Sequence, residues 1–320
     1  MSKTLFPVFF LILIFSGCAD EKVIPSEILD QPVELQIRRF DKEFARVDTG
    51  SLPSLKERYP FLFPPQYPDS IWLAKLKDTI QLELRQAVDS AYSDLGPHEE
   101  ELTLLFKHVA YYFPQYPIPD LITLTTDVDY ENRIILTDSL LLIGLDNYLG
   151  KEHRFYAGID RYIAKGLDSK YLESDIVSAI AKRVVSYPQD RTFLSQMIYY
   201  GKELYLKDLL LPRQTDGQKI GYDEEEMAWA QANEEQIWRY FIEREMLYST
   251  DSKLGPRFLD PAPFSKFRLE LDNESPGRLG RYMGWQIVRA FMERTKTPPN
   301  KLWAMPAETV FKESNYKPQK

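Results

Sequence analysis

The chain has 320 residues, 44% of them apolar and 28% charged, so it is long enough for a substantial core and too apolar to stay unfolded. Its 40 Lys and Arg stand against 48 Asp and Glu, a formal charge of −8 that repels a phosphate backbone and argues against nucleic acid as a partner. One cysteine and three histidines exclude an internal disulfide and leave too few ligands for a Cys/His zinc site.

At the N-terminus Lys3 precedes an apolar run from Leu5 to Phe15. At 1.5 Å per residue this run covers roughly half of the ~30 Å bilayer core, which marks the h-region of an export signal and not a spanning helix. Ser16 and Gly17 are small and lead directly into Cys18, the sole cysteine. This is the layout of a lipobox: residues 1–17 read as a signal peptide cleaved between Gly17 and Cys18, and Cys18 reads as the lipidated first residue of the mature protein. More than one acyl chain is what makes such an anchor stable. Residues 18–31, polar and carrying Pro25, read as a tether.

Beyond the tether, Val33, Leu35 and Ile37 alternate as in a strand, a short helix fits Phe40–Val47, and Pro53 and Pro60 signal turns before an aromatic, Pro-rich loop over 61–68. Helical periodicity covers 70–95 and 98–113, the latter holding His108, which reads as a packing residue. From Pro117 to Gly150 the texture changes: Leu121–Thr125, Ile134–Leu136 and Leu140–Leu145 predict three short strands. The intervening Asp127-Val-Asp129-Tyr-Glu131-Asn132 matches a calcium loop only in part and reads as an acidic hairpin turn. Helices are predicted over 171–186, 191–211, 223–248, 277–294 and 306–313, separated by Pro and Gly breakers. The expected fold is α+β and mostly helical, with a mainly helical part at 32–116 joined in one globular unit to 117–320.

Reactive signatures are absent: there is no HExxH, GxSxG, GxxxxGK or GxGxxG, and no cofactor is implied. Carboxylates are the remaining catalytic resource, with Glu203, Glu234 and Glu235 as candidates for a hydrolase acting on peptide or cell-wall substrates. Glu234 stands out because Met227, Ala230, Ile237, Trp238 and Phe241 share its helical face. Gly201 interrupts one helix, and Gly277, Gly280 and Gly284 recur in another, leaving a smooth groove for packing or for a ligand cleft. The candidate cleft residues are Tyr200, Gly201, Glu234, Arg278, Arg281 and Tyr282.

Several phrases together resemble the gliding-motility-associated lipoprotein family GldB of Bacteroidota over essentially the whole chain. They are the lipobox at Cys18, Ile37-Arg-Arg-Phe-Asp41, Ile143-Gly-Leu-Asp-Asn-Tyr-Leu-Gly150, Tyr199-Tyr-Gly-Lys-Glu-Leu-Tyr205, Ala232-Asn-Glu-Glu-Gln-Ile-Trp238 and Ser275-Pro-Gly-Arg-Leu-Gly-Arg-Tyr-Met-Gly-Trp285. The resemblance implies a role in gliding and in the overlapping type IX secretion machinery. It also implies envelope proteins as partners and a lipid-anchored, periplasmic domain, with the outer membrane favoured. The second half is distantly similar to predicted gluzincin-type zinc proteases, which order a sheet, an HExxH helix and a helix with a Glu-Gly ligand pair. Here helix 171–186 has no histidine and Tyr200-Gly201 stands where Glu-Gly belongs, so this resemblance implies a zincin-like fold without its metal and a protein that is not an enzyme. Such a cleft would bind peptide, the strands over 121–145 offering an edge for β-augmentation.

Overall fold

The computed structural model describes residues 24–269 and 272–319; Gly17 and Cys18 lie outside them. The architecture is α+β, with one four-stranded sheet and many helices. Strands β1 (Ile37–Arg39), β2 (Asp120–Leu124), β3 (Ile134–Leu136) and β4 (Leu140–Gly144) lie in the order β1-β2-β4-β3. β1 and β4 flank β2 in parallel, with Ile37 opposite Leu121 and Leu121 opposite Leu141, and β3 runs antiparallel on the far edge, with Ile134 opposite Ile143. Parallel neighbours require crossovers. The acidic 127–132 segment joins β2 to β3, and because β4 lies between these two strands it is a connection to the sheet edge and not a hairpin turn.

The alternation of apolar residues decides what lies on each face of the sheet. Ile122, Leu140 and Leu142 face an aromatic layer built from α2 (Phe40–Ala45), α3 (Leu52–Arg58) and α4 (Asp69–Lys77), where Phe40, Phe44, Tyr59, Phe63 and Trp72 pack edge to face. Leu121, Leu141 and Ile143 face the main helical core. The N-terminal part thus supplies both a strand and one whole layer against the sheet.

Several boundaries differ from expectation. α1 (Ser26–Leu29) docks on the body, with Ile28 buried and its next carbonyl, Leu29, accepting from Lys107 Nζ, so the tether ends before residue 31. The alternation at Val33 and Leu35 reflects burial of one side, while ladder pairing starts only at Ile37. Pro53 sits in the first turn of α3, where its missing N–H costs nothing, instead of marking a turn. The long helix over 70–95 is split into α4 and α5 (Thr79–Ala91) because extended Asp78 caps the second, accepting from the Gln81 N–H at 3.0 Å.

α6 (Gly96–Tyr112) then crosses to the sheet, and α7 (Arg161–Ala164), α8 (Leu172–Val184) and α9 (Phe193–Leu210) follow it. The single helix expected over 223–248 is α11 (Glu224–Ala232) and α12 (Glu234–Glu243), preceded by α10 (Asp216–Ile220), with the break at Asn233. Asp223 caps α11 with a reciprocal capping box to Glu226, which accounts for the first acidic cluster. The chain closes with α13 (Leu254–Phe258), α14 (Leu279–Thr295), α15 (Pro299–Leu302) and α16 (Ala307–Ser314). α9 and α14 form the central helix pair, and α16 packs across both.

Candidate functional site

A cleft of about 940 Å³ opens between the sheet edge and the helical core. One wall is β3 and the segment before it, with Tyr130, Arg133 and Ile134; the floor is α8 and α9, and the other wall is the start of α14 with the chain around Gly221. Eight basic and five acidic side chains line it, so the cleft is positive within an acidic chain.

The acidic groups of the interior are already engaged. Asp175 of α8 accepts from Arg133 Nε at 2.8 Å and from the Tyr148 hydroxyl at 2.9 Å. Ser178 Oγ donates to Glu203 Oε1 at 2.7 Å, one turn of α9 before Lys207, whose Nζ lies 3.8 Å from the same oxygen and donates to the Lys219 carbonyl at 2.9 Å. Asp223 and Glu226 both hold Lys165 Nζ. Burial pulls the Lys207 ammonium below the usual lysine range, and Glu203 works against that shift.

The basic groups of the far wall are less complemented. Arg281 lies over the Tyr200 ring, 3.8 Å from its centroid, and its Nε donates to the Leu259 carbonyl at 2.5 Å. Arg278, which precedes α14 with φ +62°, donates from Nη2 to the Gly221 carbonyl at 3.2 Å. A left-handed arginine costs of order 1 kcal/mol or more, and the surrounding chain has to enforce it. Gly277 beside it has no room for a side chain, since a Cβ there would stand 2.3 Å from the Ala262 carbonyl oxygen.

Of the candidate cleft residues, Tyr200, Arg278 and Arg281 come together on the cleft. The others do not. Gly201 faces away from it, against the backbone of Gly284 at the α9–α14 crossing. Glu234 and Tyr282 are buried together elsewhere: the Tyr282 hydroxyl donates to Glu234 Oε2 at 2.8 Å, and the Tyr316 hydroxyl and Gln319 N–H donate to Oε1 at 2.6 and 3.0 Å. Glu234 is a tether for the C-terminal tail. Glu235 pairs on the surface with Arg239, so of the carboxylates considered for hydrolysis only Glu203 is in the cleft.

Ser178, Asp175, Arg133 and Lys207 escape sequence reading because they meet from different elements. The one available signal is Lys207, three residues beyond Leu204 on the apolar side of α9, where a lysine is unusual. The quoted phrases also have structural work. In Ile37–Asp41, Arg39 grips Asp41 through Nε and Nη2, at 3.0 and 2.7 Å, and Asp41 accepts from Thr123 Oγ1, which locks β1 to β2. In Ile143–Gly150, buried Asp146 accepts the backbone N–H groups of Thr126 and Val128 and holds the strained 127–128 turn, where both residues have positive φ. Beyond these, His98 donates from Nδ1 to Glu173 Oε1 at 2.6 Å.

Among the described residues, no three His, Cys, Asp or Glu side chains converge as a metal site requires, and no helix is long and apolar enough to cross a membrane. A lipoprotein family model, described as gliding motility protein GldB, matches residues 21–318. No curated protein and no solved structure matches the chain.

Proposed function

The chain belongs to the gliding motility protein GldB family, which gives it a role in gliding, and from that premise and the cleft we propose that it binds a polypeptide partner of the gliding machinery and performs no reaction of its own. The observation that carries this reading is the edge strand. Among the described residues β3 pairs with β4 alone, and its Ile134 belongs to the cleft wall. An extended segment can add to that edge through backbone hydrogen bonds while its side chains enter the cleft, the β-augmentation mode of peptide recognition.

The order of elements, a mixed sheet with an antiparallel edge followed by α8 and α9, suits a zincin-like scaffold that has lost its metal. The α8 residues lining the cleft include Ser174, Asp175 and Ser178, two hydroxyls and a carboxylate held by Arg133. They do not fit zinc, which takes His, Cys or free carboxylates, and no step is derived through a metal. Acyl chains on Cys18 would hold the domain at the periplasmic face of the outer membrane, where confinement makes weak binding sufficient. The same partners connect it to type IX secretion.

A photo-crosslinking amino acid at Ile134, in cells and beside the same group at exposed Ile80, tests the reading. Polypeptide adducts at 134 that are missing at 80, and that depend on Cys18, are expected. No adduct at 134, or equal adducts at both positions, would overturn it.

A further inference from the structure

Arg278 and Arg281 sit three residues apart at the start of α14 and both line the cleft. Among the described residues neither is paired with a carboxylate. Arg278 uses one N–H on the Gly221 carbonyl, and Arg281 uses Nε on the Leu259 carbonyl and its face on Tyr200. Lys207, 5% exposed, approaches from α9 with its Nζ donating to the Lys219 carbonyl, and its nearest acid, Glu203, is already bonded to Ser178. Gly221 keeps this corner open: it has φ +79°, and a Cβ there would come within 3.0 Å of Arg278 Nη2.

Three cations gathered where the α9 floor meets the α14 wall oppose one another. Burial first, and Arg281 second, pull the Arg278 guanidinium below its usual range, and both arginines add to the shift at Lys207. Other cations of the protein are matched by acids: Arg289 is held bidentate by both Asp208 and Asp216, and Lys165, on the same cleft, is held by Asp223 and Glu226, whereas Lys202 of α9, 4% exposed, is satisfied by the Trp303 and Met305 carbonyls alone. An anion placed there would gain charge-assisted, fork-shaped hydrogen bonds from guanidinium groups whose present partners are backbone carbonyls and an aromatic ring.

We propose that Arg278, Arg281 and Lys207 form a carboxylate-recognition pocket, so that the polypeptide bound in the cleft is selected by a carboxylate, either its chain terminus or an Asp or Glu side chain. This rests on the reading of the cleft as a polypeptide site.

The acylated full chain, immobilised in detergent, is offered three pools of octapeptides randomised over uncharged residues: one with a free C-terminal carboxylate, one C-terminally amidated, and one amidated with a single internal Glu. Retention at least tenfold above the neutral amide pool is expected for one of the carboxylate pools, and which one identifies the source. The preference is expected to disappear in Arg278→Gly, which suits a left-handed position and so preserves the fold, and in Arg281→Gln, each verified by its melting curve. Equal retention of all three pools, or a preference that survives both substitutions, overturns the carboxylate pocket and leaves polypeptide binding standing. Retention of none overturns both.

Discussion

Gly201 of α9 lies against the backbone of Gly284 of α14: a Cβ on Gly201 would stand 2.3 Å from the Gly284 carbonyl oxygen, and one on Gly284 would stand 1.9 Å from that of Met197. This contact sets the separation of the two helices that carry Tyr200, Glu203 and Lys207 on one side and Arg278 and Arg281 on the other. In an exposed helix, Gly→Ala stabilises by about 1 kcal/mol. Here the sign reverses, because the clash is with backbone that cannot turn aside. Gly284→Ala is expected to lower the unfolding free energy by ~3 kcal/mol or more, within the range of severe overpacking. Urea denaturation measures it, and a neutral or stabilising result would contradict the close crossing.

Asp208 is the hub behind the cleft. It accepts from Trp285 Nε1 at 2.9 Å, from Arg289 Nε and Nη2 at 2.8 and 2.7 Å, and from Lys219 Nζ at 2.9 Å. Lys219 is 1% exposed, so removing the charge leaves a buried ammonium poorly compensated. Asp208→Asn is expected to cost about 3 kcal/mol, the typical loss when one member of a buried pair is removed. A melting temperature unchanged within error would show that Asp216 carries the pair alone.

Glu234 accounts for the order of the C-terminal tail. Its carboxylate accepts from Tyr316 and Gln319 and from Tyr282 beneath them. With Glu234→Ala, amide hydrogen exchange over 315–319 should rise toward the rate of an open chain, since two donors of the tail lose their shared acceptor, Glu234 Oε1. Peptide retention by the cleft should stay the same. Lost retention at intact folding would place Glu234 in the binding site after all.

His108 sets an acid limit. It is 3% exposed, and burial pushes its imidazole down to about 4. In the unfolded chain the group titrates near 6.5. Between those values the unfolded state binds the proton and the folded state does not, so stability is held above about pH 6.5 and falls as pH drops to about 4. The difference corresponds to roughly 3 kcal/mol. His108→Leu should remove that part of the slope. Parallel stability–pH curves for the two proteins across the window would refute the assignment.

The sequence by itself determined the elements and their approximate ends. The period of apolar residues placed the strands near 121, 134 and 140 and the long helices near 98, 171, 191 and 277, because side-chain burial at period 2 or 3.6 is written locally. Caps were less legible: Asp78 and Asn233 divide helices whose apolar pattern runs on across the break, since a cap acts through one residue's backbone angles. The glycines of α9 and α14 announced a close approach without saying of what to what.

Only the tertiary structure decided the site. Glu234 and Glu203 look alike on their helices, each a carboxylate among apolar neighbours, yet one anchors the tail and the other enters the cleft. That difference depends on which surface the next helix covers, and helix-to-helix contact is set by packing of residues far apart in the chain. That Arg278 and Arg281 have no carboxylate partner among the described residues is of the same kind. A list of residues counts 48 acids, and the fold alone assigns Asp175, Glu203, Asp223 and Glu226 of the cleft to other partners and leaves Arg278 and Arg281 on it without a carboxylate among the described residues.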